Sequence, residues 1–179
     1  RDHKKNFAQL NPREATAVLA SFQRRHRMLV RDSCMQYVST FFNWGASAGA
    51  SIYHPHFQML TLPIIPPDVK RSLDGSMRYF RKHRSCVHCD MLRYECERGK
   101  RIIYENAAAV VLAPFVSKAP FEVRVYPRAH ESRFEMSQSG RLPLVAHALQ
   151  AALLKIEKRL NDPDLNFFIH TAPLKSRLY

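Results

Sequence analysis

The chain has no apolar run approaching the roughly 18 residues that a membrane span requires, and no apolar signal segment at its N-terminus. These absences lead us to expect a soluble, cytoplasmic protein with no membrane partner. Acidic residues are also scarce, 15 against 28 lysines and arginines, which leaves a formal charge of +13 and points to polyanionic ligands. The densest basic clusters, "QRRHRMLVR" from Gln23 and "FRKHR" from Phe80, lack the interleaved aromatics of a stacking platform. Solvated helix faces explain them, and no nucleic-acid partner is expected. Cysteine is sparse too. Of Cys34, Cys86, Cys89 and Cys96 only the middle two share a recognisable spacing, "CVHC", which in a reducing compartment suggests metal or redox chemistry over a disulfide framework.

What is present is enough for a folded domain or two small fused units: 179 residues, 46% of them apolar. "NPREATAVLASFQRRHRML" opens with Asn11 as N-cap, Pro12 at the first helical position and Glu14 at the third. Ala15, Val18, Leu19, Phe22 and Leu29 then recur at helical spacing, so a helix is predicted from about Pro12 to Val30. "LPLVAHALQAALLKIEKRLNDPD" repeats the pattern until Asp162 and Pro163 stop it. Strands are predicted at Gln36 to Trp44, Ile52 to Leu62, Arg101 to Phe115, Phe121 to Pro127 and Asn166 to Thr171. "LPIIPPDVK", with three prolines, reads as a linker.

The chain echoes itself. His3, Phe7, the first helix and the strand ending at Asn43 match His130, Phe134, the second helix and the strand near Phe168, in the same order. Duplication is the economical explanation, with a first copy at 1–65 and a second at 66–179, each lacking a part that the other has. The sequence reads as the middle of a longer duplicated protein.

"SIYHPHFQ", residues 51–58, carries the chemistry. Read as a strand, it places His54, His56 and Gln58 on one face, an order that packing alone would not select. An imidazole can act as nucleophile, base or metal ligand, and an amide can hold a phosphoryl oxygen, so a covalent phosphoryl-transfer site is one reading. Two exposed histidines on an edge strand are the bland alternative. Ahead of them "NWGASAGAS", Asn43 to Ser51, supplies glycines and small residues that let backbone amides approach a phosphate.

"FFNWGASAGASIYHPHFQ" strongly resembles the signature of galactose-1-phosphate uridylyltransferases, a branch of the histidine-triad superfamily. The resemblance continues through "LPIIPPDV", "CVHCDML", "RIIYEN", "APFVSKAPFEVRVYPRAH" and "NFFIHTAP". It is greatest to the branch that keeps a second Cys-x-x-Cys and includes a plant-type phosphorylase acting on ADP-glucose. The resemblance implies an α+β fold of two histidine-triad-like units, each an antiparallel sheet with a packed helix and each incomplete here.

It further implies that His56 attacks the α-phosphorus of a UDP-sugar to form a uridylyl-histidine, which a hexose 1-phosphate then discharges. Gln58 would hold the α-phosphoryl oxygens, and Asn43, Gly49, Ala50 and Ser51 would line the nucleotide phosphates. Zinc is the implied cofactor. Cys86, Cys89 and His130 match three of its ligands, with the fourth expected beyond Tyr179; His3 and His54 match two ligands of another site whose cysteines would precede Arg1. A homodimer is implied. One departure is Phe57, where the family usually has a small residue; as a strand neighbour it should face away from the site. The alternatives are an ADP-sugar or dinucleotide phosphorylase of the same superfamily, or a non-catalytic zinc-stabilised binding module. His170 matches a position that holds a second metal in some members, and a plain strand histidine is the other reading. His88, inside "CVHC", is expected to be solvated, and His26, His83 and His147 to be structural or exposed.

Overall fold

The structure is a computed structural model that describes His3, residues 5–174 and Ser176. A 3₁₀ turn at Phe7–Gln9 leads into α1, Pro12–Leu29. The predicted cap forms: Asn11 Oδ1 accepts the Glu14 amide at 2.9 Å, and Glu14 accepts the Asn11 amide at 3.1 Å. This reciprocal pair satisfies two of the donors that every helix start leaves open. α1 buries Ala15, Leu19 and Phe22.

β1 (Tyr37–Trp44) and β2 (Phe57–Leu62) follow, then α2 (Pro67–His83) and α3 (Val87–Arg98). α2 begins inside the segment read as a linker, taking its residues from Pro67 to Lys70. Pro66 and Pro67 do not break this helix, because they stand at its cap and first position, where no backbone N–H is needed. The single strand predicted over Arg101 to Phe115 is a hairpin, β3 (Ile102–Glu105) and β4 (Ala109–Leu112), turned by Asn106, whose side chain accepts the amides of Ala108 and Ala109 at 2.9 Å. β5 (Arg124–Pro127), a 3₁₀ turn at Phe134–Met136, α4 (Leu142–Leu160) and β6 (Leu165–Ile169) complete the order.

The strands form two antiparallel three-stranded sheets, ordered β2-β1-β6 and β3-β4-β5. α4 serves both. Leu142, Ala146 and Leu153 pack with Phe7, Ala15, Leu19 and Phe22, while Ala148 and Ala152 pack on Ala109 and Val111 of β4. β4 is buried throughout, as its continuous apolar run suits.

The echo read in the sequence is a structural symmetry. Phe41 and Phe168, separated by the same interval as His3 and His130, lie opposite each other in the β1–β6 pairing. Gln23 and Gln150 share that interval as well. Gln23, on α1, donates to the carbonyls of Phe134 and Ser137 at 2.9 and 3.0 Å; Gln150, on α4, donates to those of Phe7 and Leu10 at 3.3 and 2.7 Å. Each helix thus holds the 3₁₀ turn that precedes the other. The mixed α+β architecture agrees with the expectation of paired histidine-triad-like units.

In the β2-β1-β6 sheet, Phe42, Phe57 and Phe167 turn to the helices, and their rings lie 4.9 to 6.5 Å apart. Side chains alternate along strands, so Phe41, Asn43, Gln58, Asn166 and Phe168 occupy the opposite face. That open face positions the candidate site.

Candidate functional site

Gln58 lies on β2 opposite Phe41, one residue after Phe57, whose ring is locked among Phe7, Phe22 and Phe42. The large residue at position 57 therefore belongs to the core and leaves the site face clear. His54 and His56 are not on the strand, which begins at Phe57; residues 51–54 bend and Pro55 offers no backbone donor to a ladder. The shared face expected for His54, His56 and Gln58 gives way to a different device. The His56 Nδ1 lies 2.7 Å from the His54 carbonyl oxygen. A carbonyl only accepts, so Nδ1 carries a proton, and in the neutral ring Nε2 is then the nitrogen with the lone pair. The tautomer is thus set by the backbone of His54. Its ring turns elsewhere, to His3, at 5.1 Å between centroids.

Between β1 and the histidines runs the small-residue loop. Gly45 and Gly49 both have φ of +85°, a conformation that side chains resist. A Cβ at Gly45 would collide with the Asp164 carboxylate, and one at Gly49 would stand 3.3 Å from the Asn43 amide nitrogen. Asn43 itself donates to the Gly49 carbonyl at 3.3 Å. Asn43, Ala50, Ser51 and His54 are among the residues lining a cleft of about 220 Å³ beside this loop.

The sequence suggested that loop amides face a phosphate, and only some are available to do so. Gly49 donates to the Ala46 carbonyl at 3.0 Å, Ala50 to that of Gly45 at 3.1 Å, and Ser47 to Asp164 at 2.7 Å. Among the described residues the amides of Ala46, Ala48 and Ser51 have no protein acceptor. Asp164 also accepts the Ser47 hydroxyl, and the two bonds from Ser47 hold its carboxyl below the usual range. Nearby, Trp44 Nε1 donates to Asp162 at 3.0 Å, and Tyr53 lies over the Trp44 ring at 5.5 Å. The sequence marks Asp162 only as a helix stop and Asp164 not at all, since both sit more than a hundred residues from Trp44 and Ser47, which they bond.

A second cluster lies apart from this face. Cys86 is the N-cap of α3 and Cys89 falls in its first turn, while His130 precedes the second 3₁₀ turn. Their ligating atoms all lie within 4.8 Å of one another, and Cys89 Sγ is 3.1 Å from His130 Nδ1. Two sulfurs and an imidazole at this separation could hold a metal ion, and soft donors of this kind suit zinc. Burial pushes the Cys89 thiol up to about 11, with the Cys86 hydrogen bond and charge adding to it. His88 is not solvated as its spacing suggested. It is half-buried near the Tyr126 ring, and burial, then the positive charges of Arg124 and His130, lowers its pKa.

Of the remaining residues, Cys34 and Cys96 are free thiols. His26 is wholly buried, with Nε2 2.7 Å from the Thr40 hydroxyl, whereas His83 and His147 are exposed. His170 directly follows β6. No helix among the described residues is long and apolar enough to cross a membrane.

Comparison with known proteins agrees with this geometry. Residues 1–66 match the model of the galactose-1-phosphate uridyl transferase N-terminal domain. An ADP-glucose phosphorylase of Arabidopsis thaliana is 35% identical over 97% of this chain and 48% of its own length. A galactose-1-phosphate uridylyltransferase of Thermotoga maritima is 28% identical over 82% of this chain and 50% of its own. The crystal structure of an Arabidopsis thaliana ADP-glucose phosphorylase with bound ADP-glucose superposes with a TM-score of 0.91, at 33% identity, over 99% of this chain and 56% of that one. The chain spans about half the length of the curated relatives it matches. In its loop and histidine motif, its paired-unit fold and its relatives alike, the chain is similar to the galactose-1-phosphate uridylyltransferase family.

Proposed function

We propose that His56 is the nucleophile of a nucleotidyl-transfer reaction between a nucleotide sugar and a phosphate acceptor. The observation that carries the reading is the 2.7 Å contact of His56 Nδ1 with the His54 carbonyl, which in the neutral ring makes Nε2 the nucleophilic nitrogen. Nε2 attacks the α-phosphorus; the N–P bond forms as the bond to the β-phosphate oxygen breaks, and hexose 1-phosphate leaves. The phosphate oxygen of an incoming acceptor then attacks the same phosphorus, and the imidazole is restored with its lone pair. Gln58, on the same sheet face as Asn43, donates its amide to the α-phosphoryl oxygens, and the Ala50 and Ser51 side of the cleft takes the diphosphate. The formal charge of +13 favours the approach of such anions.

In this reading the donor is UDP-glucose and the acceptor a hexose 1-phosphate, which the match to the uridyl transferase domain supports. Adenylyl transfer from ADP-glucose is a second reading with its own support: the Arabidopsis phosphorylase matches at 35% identity, against 28% for the Thermotoga uridylyltransferase. Cys86, Cys89 and His130 are proposed to hold zinc, which would tie the start of α3 to the segment entering the second 3₁₀ turn; His3 and His54 are proposed as ligands of a second ion. A bound zinc ion supplies a structural crosslink in each case.

Mass spectrometry of the intact full-length protein, after incubation with UDP-glucose or ADP-glucose, tests the reading. A uridylyl or adenylyl group should appear on the protein, be lost in His56→Ala, and be discharged by a hexose 1-phosphate or by phosphate. No adduct from either sugar would overturn the covalent mechanism, and an adduct from ADP-glucose alone would overturn the uridylyl assignment.

A further inference from the structure

The cleft lined by Asn43, Ser51 and His54 is built by the first copy of the repeat, yet its loop is fixed by the second. Ser47 lies at the middle of the Gly45–Ala50 turn, and both its backbone amide and its hydroxyl go to the Asp164 carboxylate. Asp164 immediately precedes β6, and β6 pairs with β1 through Asn43↔Asn166 and Trp44↔Leu165, so the sheet delivers the carboxylate beneath the loop. Gly45 fits against it with no room for a side chain. Asp162, two residues earlier, takes the Trp44 indole N–H at 3.0 Å. Asn161 and Asp162 both have positive φ, 57° and 55°, which folds the α4–β6 connection back toward the loop.

We propose that Asp164 is a positioning residue for nucleotidyl transfer: by clamping Ser47 it holds the Gly45–Ser51 loop so that the amides of Ala46, Ala48 and Ser51 face the nucleotide phosphates. This rests on the reading of His56 as nucleophile. The carboxylate itself does not meet substrate, because a diphosphate would be repelled by it; it acts through Ser47. The direction of the bonds is what makes the clamp selective. Ser47 donates inward to a fixed acceptor, and with Gly49 and Ala50 bonded within the turn the loop has one set of amides left to offer. Without the acceptor, the two left-handed glycines have no reason to keep this conformation, since glycine populates many others.

Single-turnover labelling of the full-length protein with a nucleotide sugar, combined with hydrogen exchange of peptides covering residues 45–51, tests the clamp. In Asp164→Ala the rate constant for adduct formation should fall tenfold or more at unchanged final amplitude, and exchange should rise in the 45–51 peptides while those from α1 and β4 stay as they were. Misfolding would instead lower the amplitude and leave the rate constant alone. Asp164→Asn, which keeps an oxygen to accept the Ser47 amide, should recover part of the rate. A labelling rate in Asp164→Ala within twofold of the unsubstituted protein, or a loss seen only in amplitude, would overturn the inference. Should the unsubstituted protein form no adduct, the function fails and the exchange data alone judge the clamp: unchanged protection of residues 45–51 in Asp164→Ala overturns it, and localised loss supports it.

Discussion

His26 shows how far one residue can be specialised away from its counterpart in the repeat. The matching position on α4 is Leu153, an ordinary core leucine, whereas His26 is buried with one ring nitrogen on Thr40 and with Nδ1 lacking a partner among the described residues. Burial lowers its pKa from 6.5 to about 4, so the folded protein keeps it neutral while the unfolded chain protonates it first. The unfolded state therefore binds more protons below pH 6.5, and stability drops as pH falls from there toward 4. Between pH 6.5 and 5 this one group should remove roughly 1.5 kcal/mol, since at pH 6.5 the unfolded histidine is only half protonated and the slope reaches about 1.4 kcal/mol per unit below it. His26→Leu should lose about that much less over the same range, while costing about 1 kcal/mol near neutrality for the Thr40 bond. Urea unfolding at the two pH values measures both, and an unaltered pH slope in the variant would contradict the assignment.

At the scale of elements, the twin glutamines make a sharper test than either helix. Gln150 is nearly buried, and its one amide nitrogen serves the carbonyls of Phe7, Ala8 and Leu10. Gln150→Ala should cost about 2 kcal/mol, since it strands buried acceptors of the 3₁₀ turn. Hydrogen exchange should show that turn opening before α4 does. α1 and α4 were legible in the sequence because their caps and apolar periods are local, and the internal echo was legible because its interval is constant. Gln23 and Gln150 could have been found by the same comparison of copies. α2 is masked in the sequence by three prolines that suggest a linker; its signal is Pro67 at a first helical position, followed by Val69, Leu73, Met77 and Phe80 at helical spacing. The strand drawn through His54 and His56 was too long for a related reason. Alternation continues formally across Pro55, but a proline there removes a ladder donor and the chain bends until Phe57. Asp164 had no local signal at all. Its partner lies across a strand pairing that only the folded chain creates.

For the molecule as a whole, the consequence of that pairing is that the copies are not free to unfold separately. The boundary proposed near residue 65 divides the repeat in sequence, but the β2-β1-β6 sheet crosses it, α4 packs on both sheets, and each glutamine holds the turn belonging to the other copy. Trp44, the single tryptophan, ends β1 in the first copy and donates its indole N–H to Asp162 in the second, so its fluorescence reports the seam itself. Denaturant unfolding followed by Trp44 emission and by far-ultraviolet circular dichroism should give one transition with coincident midpoints. In a protein of independent halves, the tryptophan signal would leave first and most of the helical signal, carried by α2, α3 and α4, would persist. A cooperative seam predicts the reverse dependence as well: Asp162→Ala, which removes the indole's acceptor and places an alanine at a φ of 55°, should shift both probes to lower denaturant by the same amount, because a loss at the seam between the copies weakens the fold of each.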